Sequence, residues 1–259
     1  MSERGWAVVT GASRGIGAAI AQRLGADGFG IVMVATSAAG CEPVRAKLAA
    51  AGIPVDVREC DLADRTALDR LTAGLVADHP AISALVNCAG IVRVGAVETF
   101  TGRDWDDVVE INLRAVFELS RALVPCLARA ATDRPAGASI VNVSSVMGLL
   151  ATPGVISYIA TKGAVDHLTR GLAVELGQRR IRVNAICPGF IRTDMFASSH
   201  PQERQDALAR AHPLGRVGES DEVAGVVSFL CSPDAAFVSG AVIPVDGGLT
   251  ANLAIPRID

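Results

Sequence analysis

The chain predicts a doubly wound α/β fold, and three observations carry that prediction. Short runs rich in Val and Ile alternate with longer segments of helical periodicity along the sequence. The short runs are continuously apolar, as parallel strands buried on both faces require. No repeat, low-complexity segment or Pro/Gly/Ser-rich linker interrupts the 259 residues, so one domain over 1–259 is expected.

Seven strands are expected in order: Ala7–Val9, Ile31–Val34, Val55–Val57, Ala84–Val86, Ile140–Val143, Arg182–Ile186 and Val242–Val245. Helical patterns lie between them at Ala18–Leu24, Val44–Ala50, Ala67–Val76, Trp105–Leu127, Ala164–Leu176 and Glu222–Leu230. Each apolar strand is followed by a helix, and right-handed crossovers then give a seven-stranded parallel sheet with helices on both faces. The one long region without a strand pattern, Thr193–Glu219, contains the charged and helical stretch His200–Arg210. Residues 194–219 are a candidate lid, since long segments of this kind commonly carry function.

Half of the residues are hydrophobic and only 4% are aromatic, so the core must be aliphatic. The net charge of −3 comes without a basic stripe, which argues against a nucleic-acid partner. The six cysteines are scattered with no C-x-x-C pair, which suggests neither a zinc site nor a disulfide framework. A reducing cytoplasm is the expected location. The start of the chain fits no signal peptide. The longest uncharged stretch, Pro135–Thr161, contains several Ser, an Asn and Pro153-Gly154, so no membrane span is expected.

The first strand ends in Thr10-Gly11-Ala12-Ser13-Arg14-Gly15-Ile16-Gly17 and runs into a helix. Glycines at such a junction let the backbone turn tightly and approach a pyrophosphate. The helix N-terminus then offers N–H donors and partial positive charge to phosphates. The spacing is G-x-x-x-G-x-G rather than G-x-G-x-x-G, and taken alone it is also compatible with a plain structural turn.

Tyr158-Ile159-Ala160-Thr161-Lys162 opens a later helix. Residues i and i+4 share a face, so the only tyrosine stands beside one of two lysines, the other being Lys47. Elsewhere the chain uses Arg for positive charge, and a Lys kept here suggests a need for a compact ammonium. A free phenol gives up its proton near pH 10. A neighbouring ammonium favours the phenolate and brings proton exchange toward neutral pH. An ordinary surface Tyr–Lys contact is the competing reading.

Together these features resemble the short-chain dehydrogenase/reductase family in its single-domain, Rossmann-type form, from about Gly5 to Gly248. The motifs are Thr10-Gly11-x-x-x-Gly15-x-Gly17, Asn87-Cys88-Ala89-Gly90, Asn112, Ser144-Ser145, Tyr158-x-x-x-Lys162 and Pro188-Gly189. Cys88 departs from the family, which commonly has a second Asn there, and little functional change is expected from it. The resemblance implies that Ser145 holds a substrate carbonyl oxygen and that Tyr158 is the general acid in reduction and base in oxidation. It implies that Lys162 binds the nicotinamide ribose and assists Tyr158, and that Asn112 holds a water in a proton relay. Cofactor contacts are implied for Gly11, Ser13, Arg14, Gly15, Ile16, Gly17, Thr36, Ser37, Asp61, Leu62, Asn87, Ala89 and Gly90, and for Pro188, Gly189, Ile191 and Thr193. No metal is implied. Taken singly, Ser144 and Ser145 could merely end a strand, Asn112 could cap or kink a helix, and Asp61 could be an N-cap. Their joint occurrence in family order favours the functional reading.

NADP(H) is expected over NAD(H), though NAD(H) stays possible. The second strand runs Ile31-Val32-Met33-Val34-Ala35-Thr36-Ser37, with no acid until Glu42. An acid at that strand end usually receives the ribose 2′-hydroxyl. Arg14 offers a charge-assisted bond to a 2′-phosphate, or it is simply a solvated loop charge. The flanking Val92, Val94, Met147, Leu149, Val155, Phe190 and Met195 lean toward an acyl-bearing ketone, and the pattern looks most like 3-oxoacyl-thioester reductases. The substrate would then be a small ketone or alcohol, in some cases a carrier-bound acyl thioester. Sugar, polyol or steroid dehydrogenases are the alternative. A non-catalytic NADP(H)-binding regulator is a weaker reading because all four catalytic-type residues are present, and a methyltransferase is weaker because it has no use for the Tyr158-x-x-x-Lys162 helix. The resemblance further implies a homotetramer, with the apolar tail Leu249–Pro256 available for burial against a neighbour.

Overall fold

The computed structural model describes residues 4–132, 134–199 and 201–252, without the side chains of Met195 and Ser199. The tail beyond residue 252, including the second half of Leu249–Pro256, lies outside the described residues. So do His200 and the Met195 side chain.

The first half of the chain forms β1 (Trp6–Thr10), α1 (Gly15–Ala26), β2 (Gly30–Ala35), α2 (Ala38–Ala50), β3 (Val55–Glu59), α3 (Arg65–Asp78) and β4 (Ile82–Asn87). It continues with α4 (Gly102–Val109), α5 (Ala115–Thr132), β5 (Ala138–Val143) and α6 (Ile156–Leu176). The remainder is β6 (Ile181–Pro188), β7 (Ile191–Arg192), α7 (Asp194–Ser199), α8 (Gln202–Ala211), β8 (Gly218–Glu219), α9 (Ser220–Cys231) and β9 (Val242–Val245). Seven strands pair in the order β3-β2-β1-β4-β5-β6-β9, all parallel. The order reverses between β3 and β4, which opens a crevice beyond the carboxyl ends of β1 and β4.

Both faces of the sheet are buried, as the continuous apolar runs predict. Every residue of β2, β4, β5 and β6 is buried. Successive side chains divide between the faces. Ala7, Val9, Ile31 and Met33 meet Ile20 and Leu24 of α1, Val44 and Leu48 of α2, and Val223 and Val227 of α9. Val8, Val32, Val34 and Leu85 meet Leu68 and Leu75 of α3 and Leu119, Leu123 and Leu127 of α5. No helix among the described residues is long and apolar enough to cross a membrane.

Two expectations and one competing reading need correction. The helical pattern Trp105–Leu127 is not one regular helix: a π-helical turn, Glu110–Arg114, separates α4 from α5. Single π turns inside helices commonly mark functional positions, and this one carries Asn112. The long region Thr193–Glu219 is not wholly without strand, since β8 pairs with β7 through Ile191↔Gly218 and Arg192↔Glu219. Two-residue strands leave too short a pattern for periodicity to detect. Asp61 is not the cap of α3: Asp64 accepts from the N–H groups of Thr66 and Ala67.

The central strand sets a stability prediction. Leu85 is fully buried, whereas Leu150 is 49% exposed. Leu85→Ala is expected to cost about 2–5 kcal/mol, and Leu150→Ala to stay within about 0.5 kcal/mol. Urea unfolding of both variants checks this, and equal midpoints would contradict the packing described.

Candidate active site

The crevice is built from backbone that only glycine permits. Gly11 and Gly15 adopt φ +68° and +55°, a left-handed conformation that L side chains rarely accept. A Cβ on Gly11 would press on the Ala89 backbone at 3.0 Å, and one on Gly15 would reach Thr193 at 3.3 Å. One on Gly17 would overlap the Gly11 carbonyl. The glycine-rich turn therefore lies against the loops that follow β4 and β6, and its surface is bare backbone at the N-terminus of α1. Such a cradle fits a pyrophosphate. Thr10 closes its floor, since its Oγ1 accepts from the N–H groups of Cys88 and Ala89, both at 3.0 Å.

The Tyr158–Lys162 pair lies in the first turns of α6, with Nζ of Lys162 5.4 Å from the centre of the Tyr158 ring. Lys162 is buried and donates to the Val143 carbonyl at 2.7 Å. Its ammonium also stands 3.6 Å from where a Gly90 Cβ would be, so the loop after β4 borders it. Ser145 follows β5, and its Oγ accepts from Met147 N–H at 3.1 Å. Ser144 Oγ donates to the Lys162 carbonyl, which joins the end of β5 to α6. Asn112 is fully buried, and its side chain is committed on both sides: Nδ2 donates to the Ile91 carbonyl and Oδ1 accepts from Ile91 N–H, each at 2.9 Å. Asn112 thus pins the loop after β4, with Gly90 against it.

The remaining predicted residues are distributed around this centre. Asn87 donates to Asn142 Oδ1, and Asn142 donates in turn to Thr169 of α6, both at 2.9 Å. This buried polar chain ties β4, β5 and α6 together. Removal from water pushes the Cys88 thiol up to about 12, so Cys88 stays neutral. Thr36, Ser37 and Asp61 are exposed at the ends of β2 and β3, and Leu62 is buried beside them. Ser37 caps α2 by accepting from Gly40 N–H. Asp61 accepts from Ala63 N–H in a tight turn. Arg14 is exposed at the N-cap of α1, between Ser13 and Gly15, and Ile16 packs against the core face of α1. Pro188 ends β6, Gly189 follows, and Ile191 is in β7. Thr193 Oγ1 accepts from Phe196 N–H at the start of α7.

Several residues that the sequence did not single out shape the site. His212 is buried, and its Nδ1 lies 2.7 Å from the Leu208 carbonyl. A carbonyl only accepts, so Nδ1 carries the proton, and Nε2 accepts from Phe190 N–H at 3.4 Å. This imidazole hangs α8 on the Pro188–Phe190 turn. No motif announces it, because Phe190 lies 22 residues before it in the chain. Glu59, the last residue of β3, is paired in register with Ala35 and accepts from Ala38 N–H at 2.9 Å. An acid therefore does stand at the end of β2, supplied by the neighbouring strand.

Asp166 lies one turn beyond Lys162 and is 2% exposed. The Cys187 thiol donates to its Oδ1 at 3.8 Å, and Oδ2 has no hydrogen-bond partner. Gly148 passes so close that a Cβ there would overlap Oδ2. Burial holds the Asp166 carboxyl above the usual carboxylate range, against the opposing pull of Ser144, Cys187, Arg170 and Lys162. A carboxyl raised on folding favours the folded state most when protonated. That contribution is fully present below the unfolded pKa and is lost as pH rises through the folded value. Asp166→Asn removes the dependence, so its stability relative to wild type is expected to improve as pH rises above the ordinary carboxylate range. Thermal melts across pH check this, and parallel curves for the two proteins would contradict it.

Comparison with known proteins agrees with this geometry. The family model described as Enoyl-(Acyl carrier protein) reductase matches residues 11–250. A 3-oxoacyl-(acyl-carrier-protein) reductase of Pseudomonas aeruginosa is 41% identical over 248 residues, 94% of this chain and 96% of that protein. A gluconate 5-dehydrogenase of Gluconobacter oxydans is 37% identical over 95% of both chains. Among solved structures, a gluconate 5-dehydrogenase from Burkholderia cenocepacia in complex with NADP and tartrate superposes with a TM-score of 0.88. It is 31% identical and covers 98% of this chain and 97% of its own. With its sheet order, glycine cradle and Tyr158–Lys162 pair, the chain belongs to the short-chain dehydrogenase/reductase family of oxidoreductases.

Proposed function

We propose that this protein is an NADP(H)-dependent ketoreductase whose substrates are 3-oxoacyl thioesters. The observation that carries the reading is the pairing of Tyr158 with the buried Lys162 ammonium beside Gly90, next to the Ser145 strand end. When bound, the nicotinamide supplies or accepts the hydride. The residues of the chain supply placement and the proton. Ser145 would give a hydrogen bond to the carbonyl oxygen, and the Tyr158 hydroxyl would protonate that oxygen in reduction. Lys162 would bind the ribose hydroxyls, exchanging its present bond to Val143 for them. The Asn112 side chain is spent on Ile91, so a relay water would have to meet the Asn112 main chain.

Gly11, Ser13, Arg14, Gly15, Ile16 and Gly17 would receive the phosphates. Thr36, Ser37, Asp61 and Leu62 would border the adenosine. Asn87, Ala89, Gly90, Pro188, Gly189, Ile191 and Thr193 would line the nicotinamide side. Support for an acyl substrate comes from the rim. Val94, Val97, Leu149 and Leu150 are exposed on the segments that follow β4 and β5, and the first of these is tied to the approach to α6 by the bond from Gly95 N–H to the Gly154 carbonyl. The name of the P. aeruginosa relative points the same way, while the gluconate dehydrogenases keep polyol oxidation as the second reading. Residues 194–219 serve in this reading as the substrate lid of a single domain over 1–259. The exposed Trp105 and Phe117, on α4 and α5, suit burial in a homotetramer, and the location remains cytoplasmic.

Acetoacetyl thioesters are expected to support NADPH oxidation, and gluconate is expected to support little reduction of NADP. Tyr158→Phe is expected to lower kcat with the thioester by about 10²-fold or more while NADPH still binds. Unaltered turnover in that variant would remove Tyr158 from the mechanism. Arg14→Ala is expected to weaken NADPH by about 10–150-fold, the scale of one charge-assisted bond, and to leave NADH nearly unchanged. Equal losses for both would remove Arg14 from the 2′-phosphate.

A further inference from the structure

The end of β2 determines how this fold reads the adenosine ribose: an acid there receives the 2′-hydroxyl of NAD(H), and a cation there receives the 2′-phosphate of NADP(H). The sequence of β2 and the turn after it contains no acid through Ser37. The sheet register nevertheless brings one. Glu59 ends β3 opposite Ala35, which ends β2. Its exposed carboxylate accepts from Ala38 N–H at 2.9 Å, the first residue of α2. The glycine-rich turn is close by, since the position of a Gly40 Cβ lies 3.7 Å from Ser13 Cβ. Arg14 follows Ser13 on that turn. Three features therefore converge around the turn Thr36-Ser37: the arginine loop, the N–H groups opening α2, and a carboxylate already bonded to one of them.

A 2′-phosphate at this place would need the same N–H donor and would carry its negative charge beside that carboxylate. A ribose 2′-hydroxyl would instead donate to the carboxylate. We propose that Glu59 is a cofactor-specificity residue of this enzyme, opposing Arg14 and narrowing its preference for NADP(H) over NAD(H). The proposal rests on the dinucleotide-binding reading above. It gives the site two opposed determinants: a cation on the β1–α1 turn that favours the phosphate, and an anion on β3 that favours the hydroxyl.

Dissociation constants for NADPH and NADH, measured by nucleotide fluorescence, test this without turnover. Glu59→Gln keeps an oxygen for Ala38 N–H and removes the charge. It is expected to tighten NADPH by roughly tenfold, the scale of one unit charge facing a phosphate at short range in partly screened surroundings. NADH is expected to be unchanged or weaker. The NADPH gain is expected to shrink at high salt, because exposed charges are screened. Glu42→Gln serves as the control. Glu42 lies on α2, but its carboxylate is paired with Arg45 at 2.7 Å, so neither constant is expected to move. Equal changes for the two nucleotides in Glu59→Gln, no change in either, or the same NADPH gain in Glu42→Gln would overturn the proposal. Wild-type protein that binds neither nucleotide would instead overturn the functional reading beneath it. Wild-type protein that binds both, with a ratio Glu59→Gln does not move, would overturn this inference alone.

Discussion

Seven parallel strands end on one edge of the sheet, and the candidate site hangs from that edge. Parallel pairing requires each strand to be reached by a crossover, so every strand-to-helix turn emerges on the same side. The order reversal between β3 and β4 then separates the turns after β1 and β4, and the crevice opens there. Turns far apart in sequence become neighbours as a result. A Cβ on Gly11 would meet Ala89, one on Gly15 would meet Thr193, and one on Gly90 would lie 3.6 Å from the Lys162 ammonium.

Hydrogen bonds in the buried floor fix how those turns sit. Thr10 gives one hydroxyl oxygen to two backbone donors after β4, so the end of β1 cannot drift from that loop without leaving part-buried N–H groups unpaired. Asn87, Asn142 and Thr169 extend the same logic across β4, β5 and α6. Inside a low-dielectric core such chains are strong when satisfied and costly when broken. They are neutral, so they orient α6 without placing a fixed charge beneath Lys162. Asp166 is the exception, a carboxyl held against Gly148 and Cys187 at a cost that burial makes plain. Gly148 looks unremarkable in sequence, yet a side chain there would meet that carboxyl.

The π-helical turn at Glu110–Arg114 shows how a local irregularity serves a distant loop. Periodicity alone predicts a single helix across Trp105–Leu127, because apolar residues recur at helical spacing on both sides of the turn. In the structure the turn carries Asn112, whose amide pairs with both backbone groups of Ile91. A loop that would otherwise leave polar backbone unpaired is thereby satisfied from a helix.

Local chemistry was readable from the sequence wherever it is written in neighbouring residues. The continuous apolar strands determined a sheet buried on both sides, the glycines at 11, 15 and 17 determined a bare turn at a helix start, and the spacing of Tyr158 and Lys162 determined their shared face. Each depends only on backbone sterics or on the helical period. Ser145 and Asn112 were legible through family order rather than through any local rule. Tertiary structure alone decided the rest. The pairing of Glu59 with Ala35, the link from Leu208 through His212 to Phe190, and the closeness of Gly148 to Asp166 each join segments that the sequence keeps apart. Register and packing set those contacts, and a strand read by itself contains an end but not the neighbour whose carboxylate will stand beside it.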